Sequence, residues 1–329
     1  MDNRKAGRFM LFLVLYYIAF MFLVLPLVFV FLGLDQYDLS QLAVSPWLLM
    51  LSQIFGLLLP LVIWTLFRGE SLIGSIPRSP LSGKNVMLII VISIFIQPTM
   101  MAVSGLTTLL FPNEIVEFVG EMGIQQSFWV MLLAVAVTPA IIEELVFRGY
   151  IQTATNHFSL KKAALINGLF FGIIHFNFQQ FFYAFAMGIV FLVMVHYTKS
   201  IFAGILSHFI VNGSQVSLLQ FMMWAQGFLD EYEVAVAADI GGEEIIGVII
   251  TIGILVLITL PITAVIFRHF ILYNIERQES MEAEELRSAS EGVPIEEEDK
   301  NIKPRGRFDP YIAVVIGVYL LIMVAVNFA

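Results

Sequence analysis

The chain has 329 residues, of which 59% are hydrophobic and only 13% charged, and its net charge of −9 comes mostly from the segments between apolar runs. With a mean hydropathy of +0.89, that much apolar surface has no place in a water-soluble fold, so the chain reads as a polytopic membrane protein with no nucleic-acid partner. The absence of cysteine excludes thiol proteases, disulfides and thiolate metal sites.

Hydropathy divides the chain into nine expected spans, at about 9–34, 46–67, 85–111, 128–148, 163–177, 181–197, 201–224, 245–267 and 310–328. The runs are long and apolar, not ten-residue alternating segments, which predicts an all-α bundle of about eight to nine transmembrane helices and argues against an outer-membrane barrel. The first run, Phe9 to Leu34, follows Arg4, Lys5 and Arg8 as a signal peptide would. It is too long for a signal segment and no small-residue cleavage site follows, so it is expected to be an uncleaved span.

Threading the spans with the N-terminus in the cytoplasm puts all 17 Lys and Arg residues inside or at the inner edge, the segregation that cytoplasmic loops display. The expectation is an integral protein of a prokaryotic plasma membrane. The presumed outer loops, 35–45, 112–127 and 225–244, carry acids only: Asp35, Asp38, Glu114, Glu117, Glu121 and the run from Asp230 to Glu244. These read as solvated loop residues, with a divalent-ion or cationic-ligand site as the rival reading. Residues 268–309 are highly charged and poor in aromatics, and are expected to form a largely disordered cytoplasmic linker, helical at most at its start. The organisation expected is therefore N-terminal helices over 1–127, a catalytic core over 128–224, an outer loop and helix over 225–267, the linker over 268–309 and a last span over 310–329. Pro26, Pro60, Pro98, Pro139 and Pro261 fall inside spans, where they kink helices and free backbone carbonyls. Gln97, beside Pro98, is a candidate to line a cavity.

Three polar interruptions carry the candidate chemistry. The first is Pro139 to Gly149, where Glu143, Glu144 and Arg148 stand at the end of an apolar run of membrane-spanning length. Charges there are costly and mark a functional site by default. Glu144 and Arg148 are four apart and share a helix face, while Glu143 points about 100° away from Glu144. One acid is thus neutralised by the arginine and the other, Glu143, is left to face a cavity as a general base. A helix continuing through Tyr150 and Ile151 would sink this cluster deeper than the hydropathy edge.

The second interruption is Phe171 with His175, which share a face, next to Gly168 and Gly172, a small-residue surface that lets a neighbouring helix approach closely. The third is His208 with Asn212, again four apart. Asn212-Gly213-Ser214 also spells a glycosylation sequon, unreachable inside a span. One carboxylate and two imidazoles can hold a divalent metal with an activated water, zinc on Glu143, His175 and His208, or can hold a water directly for general-base attack. Hydrolysis inside the membrane fits both, although His-Glu-x-x-His is absent.

Glu-Glu-x-x-x-Arg, Phe-x-x-x-His and His-x-x-x-Asn, in that order over about 128–217, resemble the CPBP family of intramembrane proteases. That family comprises the type II CAAX prenyl endopeptidases and the bacteriocin-processing or self-immunity (Abi) proteins. The resemblance implies functional roles for Glu143, Glu144, Arg148, Phe171, His175, His208 and Asn212. Glu143 and the two histidines would activate the water, Asn212 would stabilise the oxyanion, and Glu144 with Arg148 would be structural. The family's members are named metalloproteases, and the resemblance leaves zinc and a glutamate-activated water both open. The function expected is an intramembrane endopeptidase acting on a membrane-anchored or transmembrane peptide substrate amid membrane lipid. The alternatives are a non-catalytic binding or bacteriocin-immunity protein and an ion-coupled transporter.

Overall fold

A computed structural model describes residues 4–31, 45–111, 114–228, 242–290 and 309–328. Among them every regular element is helical, and the extended pairing present is a single bridge between Arg78 and Ser200. The helices are α1 (Lys5–Phe31), α2 (Pro46–Arg68), α3 (Gly83–Thr108), α4 (Glu114–Gln125), α5 (Phe128–Ala154), α6 (Leu160–Ile173), α7 (Phe178–Thr198), α8 (Ile201–Phe228), α9 (Gly242–Ser290) and α10 (Pro310–Phe328). The protein is an all-α polytopic membrane protein: α1, α2, α3, α5, α7, α8 and α9 are each long and apolar enough to cross a membrane. Their outward side chains, Phe67 and Leu257 among them, are apolar and exposed, as lipid-facing positions are.

One of the nine expected spans differs. The run expected at 163–177 is helical only over α6, whose 14 residues cover about 21 Å against a hydrocarbon core of about 30 Å. The last four residues of that run, Ile174 to Asn177, lie past the end of the helix. The backbone instead turns at Phe176, which takes a left-handed conformation with φ 47°. Asn177 then caps α7 by accepting from the Gln180 N–H at 2.9 Å. The last expected span, 310–328, coincides with α10, Pro310–Phe328.

Prolines shape four of the long helices. Proline has no N–H for the carbonyl four residues back. The turn before Pro26 in α1, before Pro60 in α2 and before Pro139 in α5 widens to π-helical spacing, over Phe20–Val24, Ile54–Leu58 and Leu132–Val137. A fourth wide turn, Leu145–Ile151, follows Glu144 with no proline after it. At Pro98 the helix axis breaks between Phe95 and Gln97.

Glycines set the closest packing. A Cβ at Gly168 would stand 2.7 Å from the Phe185 carbonyl oxygen, one at Gly172 2.9 Å from that of Phe181, and one at Gly188 2.8 Å from the Gly168 Cα. The hairpin of α6 and α7 therefore closes backbone to backbone through these three residues. The main core, with Phe9, Leu13, Leu61, Phe147, Phe170 and Val315, joins α1, α2, α5, α6 and α10. At the end of the bundle that bears Lys5, a polar chain locks α1, α2 and α5. Trp64 Nε1 donates to the Tyr150 hydroxyl at 2.6 Å, Tyr150 donates to Glu70 Oε2 at 2.8 Å, and Lys5 Nζ pairs with Glu70 at 3.0 Å.

Apolarity ends near Phe267, but α9 runs on to Ser290, because Glu, Arg, Met, Ala and Leu are strong helix formers. The part of the charged linker that is described is thus helical, and residues 291–308 lie outside the described residues. So do Asp35, Asp38 and the acids from Asp230 to Asp239. Glu121 is exposed on α4.

Candidate active site

The four residues after Glu144 decide the character of this region. Glu144 and Arg148 are both 0% exposed, and Glu144 Oε1 lies 3.0 Å from Arg148 Nη1. The guanidinium donates to the Gly188 carbonyl at 3.2 Å and lies 4.5 Å over the Phe171 ring and 5.1 Å from that of Phe191. The cation is enclosed by aromatic faces, a carbonyl and a carboxylate, with its Nε left without a hydrogen-bond partner.

The same Glu144 Oε1 accepts from His208 Nδ1 at 3.1 Å. An ionised carboxylate only accepts, so the proton of a neutral His208 sits on Nδ1 and Nε2 is bare. His175 repeats the pattern with a backbone partner: its Nδ1 donates to the Phe171 carbonyl at 2.6 Å, which again leaves Nε2 bare. His175 stands just beyond the C-terminus of α6, where that helix ends inside the bundle. The end of α6 therefore places His175 on the wall of the cavity that Glu143 also lines.

Glu143 faces the other way, as 100° of helical rotation requires. It is 5% exposed, its Oε1 accepts from Gln53 Nε2 at 2.9 Å, and its Oε2 is buried without a hydrogen-bond partner. The nearest imidazole nitrogen to that oxygen is His208 Nε2, at 3.9 Å. Helix α5 continues to Ala154, so Glu143 lies about 16 Å from its end at the helical rise. The cluster is deeper than the hydropathy edge at 148.

Asn212 owes its orientation to Pro139. Without a proline N–H, the Val135 carbonyl has no donor four residues on, and Asn212 Nδ2 supplies one at 3.0 Å. The second N–H of that amide remains available.

Glu143, Phe171, His175, His208 and Asn212 line one cavity of about 230 Å³, together with Tyr17, Gln53, Tyr183 and Phe191 among others. Glu144 and Arg148 stand behind its wall. All seven residues singled out in the sequence thus gather at one place, five facing the cavity and two supporting it from inside the protein. Gln97 does not: it donates to Ser214 Oγ at 2.6 Å across the α3–α8 contact and is not among the cavity's walls. Gln53 was not picked out by sequence, although an amide inside the apolar run 46–67 was a signal of the same kind as Gln97.

The bare Nε2 atoms of His175 and His208 and the free Oε2 of Glu143 are the donor types of a catalytic zinc site. Their placement does not fit a shared ion, because among the described residues no three His, Asp or Glu side chains are close enough to hold one.

The sequence model of the family described as "Type II CAAX prenyl endopeptidase Rce1-like" matches residues 125–214, a stretch that runs from the end of α4 into α8 and contains all seven residues. Comparison with curated proteins and with solved structures found no match.

Proposed function

From the match of residues 125–214 to the Rce1-like family model we propose that this chain hydrolyses a peptide bond in a membrane-associated substrate, with Glu143 as general base. The observation that carries the reading is the unequal state of the two adjacent acids. Each acid has one buried oxygen without a hydrogen-bond partner, but Glu144 is paired with Arg148 and His208 behind the wall, whereas Glu143 lines the cavity with Gln53 as its hydrogen-bond donor.

The 3.9 Å gap between Glu143 Oε2 and His208 Nε2 is too long for a hydrogen bond and spans what one bridging water spans. Both atoms accept, so a water there gives a proton to each and presents its oxygen lone pair to the cavity. In the proposed reaction that oxygen attacks the scissile carbonyl carbon as Glu143 takes one of its protons. The oxyanion accepts the second N–H of Asn212, with the His175 ring alongside. The C–N bond then breaks as the proton on Glu143 passes to the leaving nitrogen. No step runs through a metal. The segregation of Lys and Arg supports a cytoplasmic N-terminus, and the family supports a prenylated or otherwise membrane-anchored peptide as substrate.

The test uses purified protein in proteoliposomes with two quenched peptides, one farnesylated with a CAAX-type end and one a single-span peptide. Glu143→Gln and His175→Ala are expected to lower cleavage at least about 100-fold at unchanged melting temperature. Full cleavage by both variants would sink the assignment, and a cellular phenotype kept by the double variant would favour a binding or immunity protein. Activity kept after thorough chelation supports the carboxylate-held water, whereas activity lost and restored by added zinc would replace it with the metal reading.

A further inference from the structure

Glu143 has two chemically equal oxygens, and rotation about the terminal torsion exchanges them. A base that must meet a water in one position needs one oxygen pinned and the other free. Gln53, on α2, does the pinning: its Nε2 donates to Oε1 at 2.9 Å, and Oε2 is left toward His208 Nε2. No other hydrogen bond reaches Glu143 among the described residues.

The amide is itself held by its setting. Gln53 enters the wide turn Ile54–Leu58 that Pro60 imposes, and Gly56 in that turn lets Tyr17 of α1 press against the backbone. Its own Oε1 is buried with no partner. Gln53 also lines the cavity.

We infer that Gln53 is a positioning residue for the hydrolysis, fixing the carboxylate plane of Glu143, so that the working site is completed by α2, outside the matched stretch 125–214. The inference rests on the reading of Glu143 as the base. A pinned carboxylate has no reorganisation left to do when the water attacks, so the contribution falls on turnover and not on substrate affinity.

The test compares wild type, Gln53→Met, Gln53→Glu, Gln97→Leu and Glu143→Gln with the same two peptides. Gln53→Met keeps length and removes the donor. It is expected to lower kcat about 10–100-fold with KM within about twofold and the melting temperature near wild type. Gln53→Glu, which sets a second carboxylate against Glu143, is expected to be slower still. Gln97→Leu removes a comparable interhelix amide bond away from the cavity, and should lower the melting temperature while kcat stays at the wild-type value. A Gln53→Met protein with wild-type kcat, or one that loses only folded yield as Gln97→Leu does, overturns the inference. Glu143→Gln cleaving at full rate overturns the base assignment separately. Wild-type protein that cleaves neither peptide overturns the protease reading and this inference with it.

Discussion

Glu144 and Arg148 form an ion pair with no exposed surface, and the charge of each is tolerated only because the other is 3.0 Å away. Breaking such a pair from one side costs about 3–5 kcal/mol, because the partner's charge stays buried without compensation. Gly204 belongs to the same arrangement: a Cβ there would overlap the Glu144 carboxylate, so only glycine lets α8 pass so close. Glu144→Gln, Arg148→Met and Gly204→Ala are therefore expected to reduce folded, monodisperse protein and to lower the melting temperature in detergent. Glu143→Gln, at a position that lines the cavity, should melt like wild type and lose turnover. Equal melting of the Glu144 and Glu143 variants would remove the division of labour between the adjacent acids. That division was half legible in sequence, because the spacing of four between Glu144 and Arg148 gives the pair. What the spacing does not contain is that His208 joins Glu144 through Nδ1, a contact 64 positions away in the chain.

Helix α5 carries its chemistry at irregularities. Its first wide turn, Leu132–Val137, exists because Pro139 has no N–H, and the carbonyl so freed on Val135 holds Asn212. Pro139→Ala restores the missing donor. The helix then closes on Val135, and Asn212 loses the contact that aims its amide. The expected outcome is a protein at least as stable as wild type, since helix-interior proline costs about 3 kcal/mol, with kcat lowered about tenfold and KM little changed. Thermal melting and steady-state kinetics on the same preparation check both halves. Wild-type turnover in this variant would mean that the Val135 contact does not set Asn212. The prolines, and their tendency to free carbonyls, could be read from the chain. Which side chain takes up the freed carbonyl could not, because it arrives from α8. The end of α6 was hidden for a related reason: the turn is fixed by the left-handed Phe176 and the Asn177 cap, backbone features that hydropathy does not register.

At the scale of the whole molecule, α9 is the least embedded of the seven helices of membrane-spanning length among the described residues. Ile249, Ile250, Leu257, Ile258 and Val265 on its apolar half are exposed, as a lipid-facing helix allows, and its fixed contacts lie further on. Phe270 enters a small core with Ile89, Ile92 and Met194. Beside it, Asn85 and Asn274 exchange two hydrogen bonds of 2.9 Å each, at 0% and 1% exposure. Gln278 Nε2 then donates to the Tyr197 carbonyl at 2.5 Å. The charged continuation of α9 is thus anchored by a reciprocal amide pair across 189 positions of sequence, which no local pattern in either segment announces. The energetics of such a pair are asymmetric. Replacing one amide by Leu orphans the other in a dry contact and costs about 1–3 kcal/mol, whereas replacing both removes donors and acceptors together and is nearly neutral. Asn85→Leu and Asn274→Leu are each expected to lower stability by about that amount. The double variant should recover most of the loss, an interaction energy of about 0.5–3 kcal/mol in a double-mutant cycle. Losses that simply add in the double variant would show that the two amides act independently and that α9 is held by Phe270 and Gln278 instead. Because the pair stands apart from the cavity, kcat should stay at the wild-type value in whatever fraction remains folded, which separates the anchoring of α9 from the chemistry at Glu143.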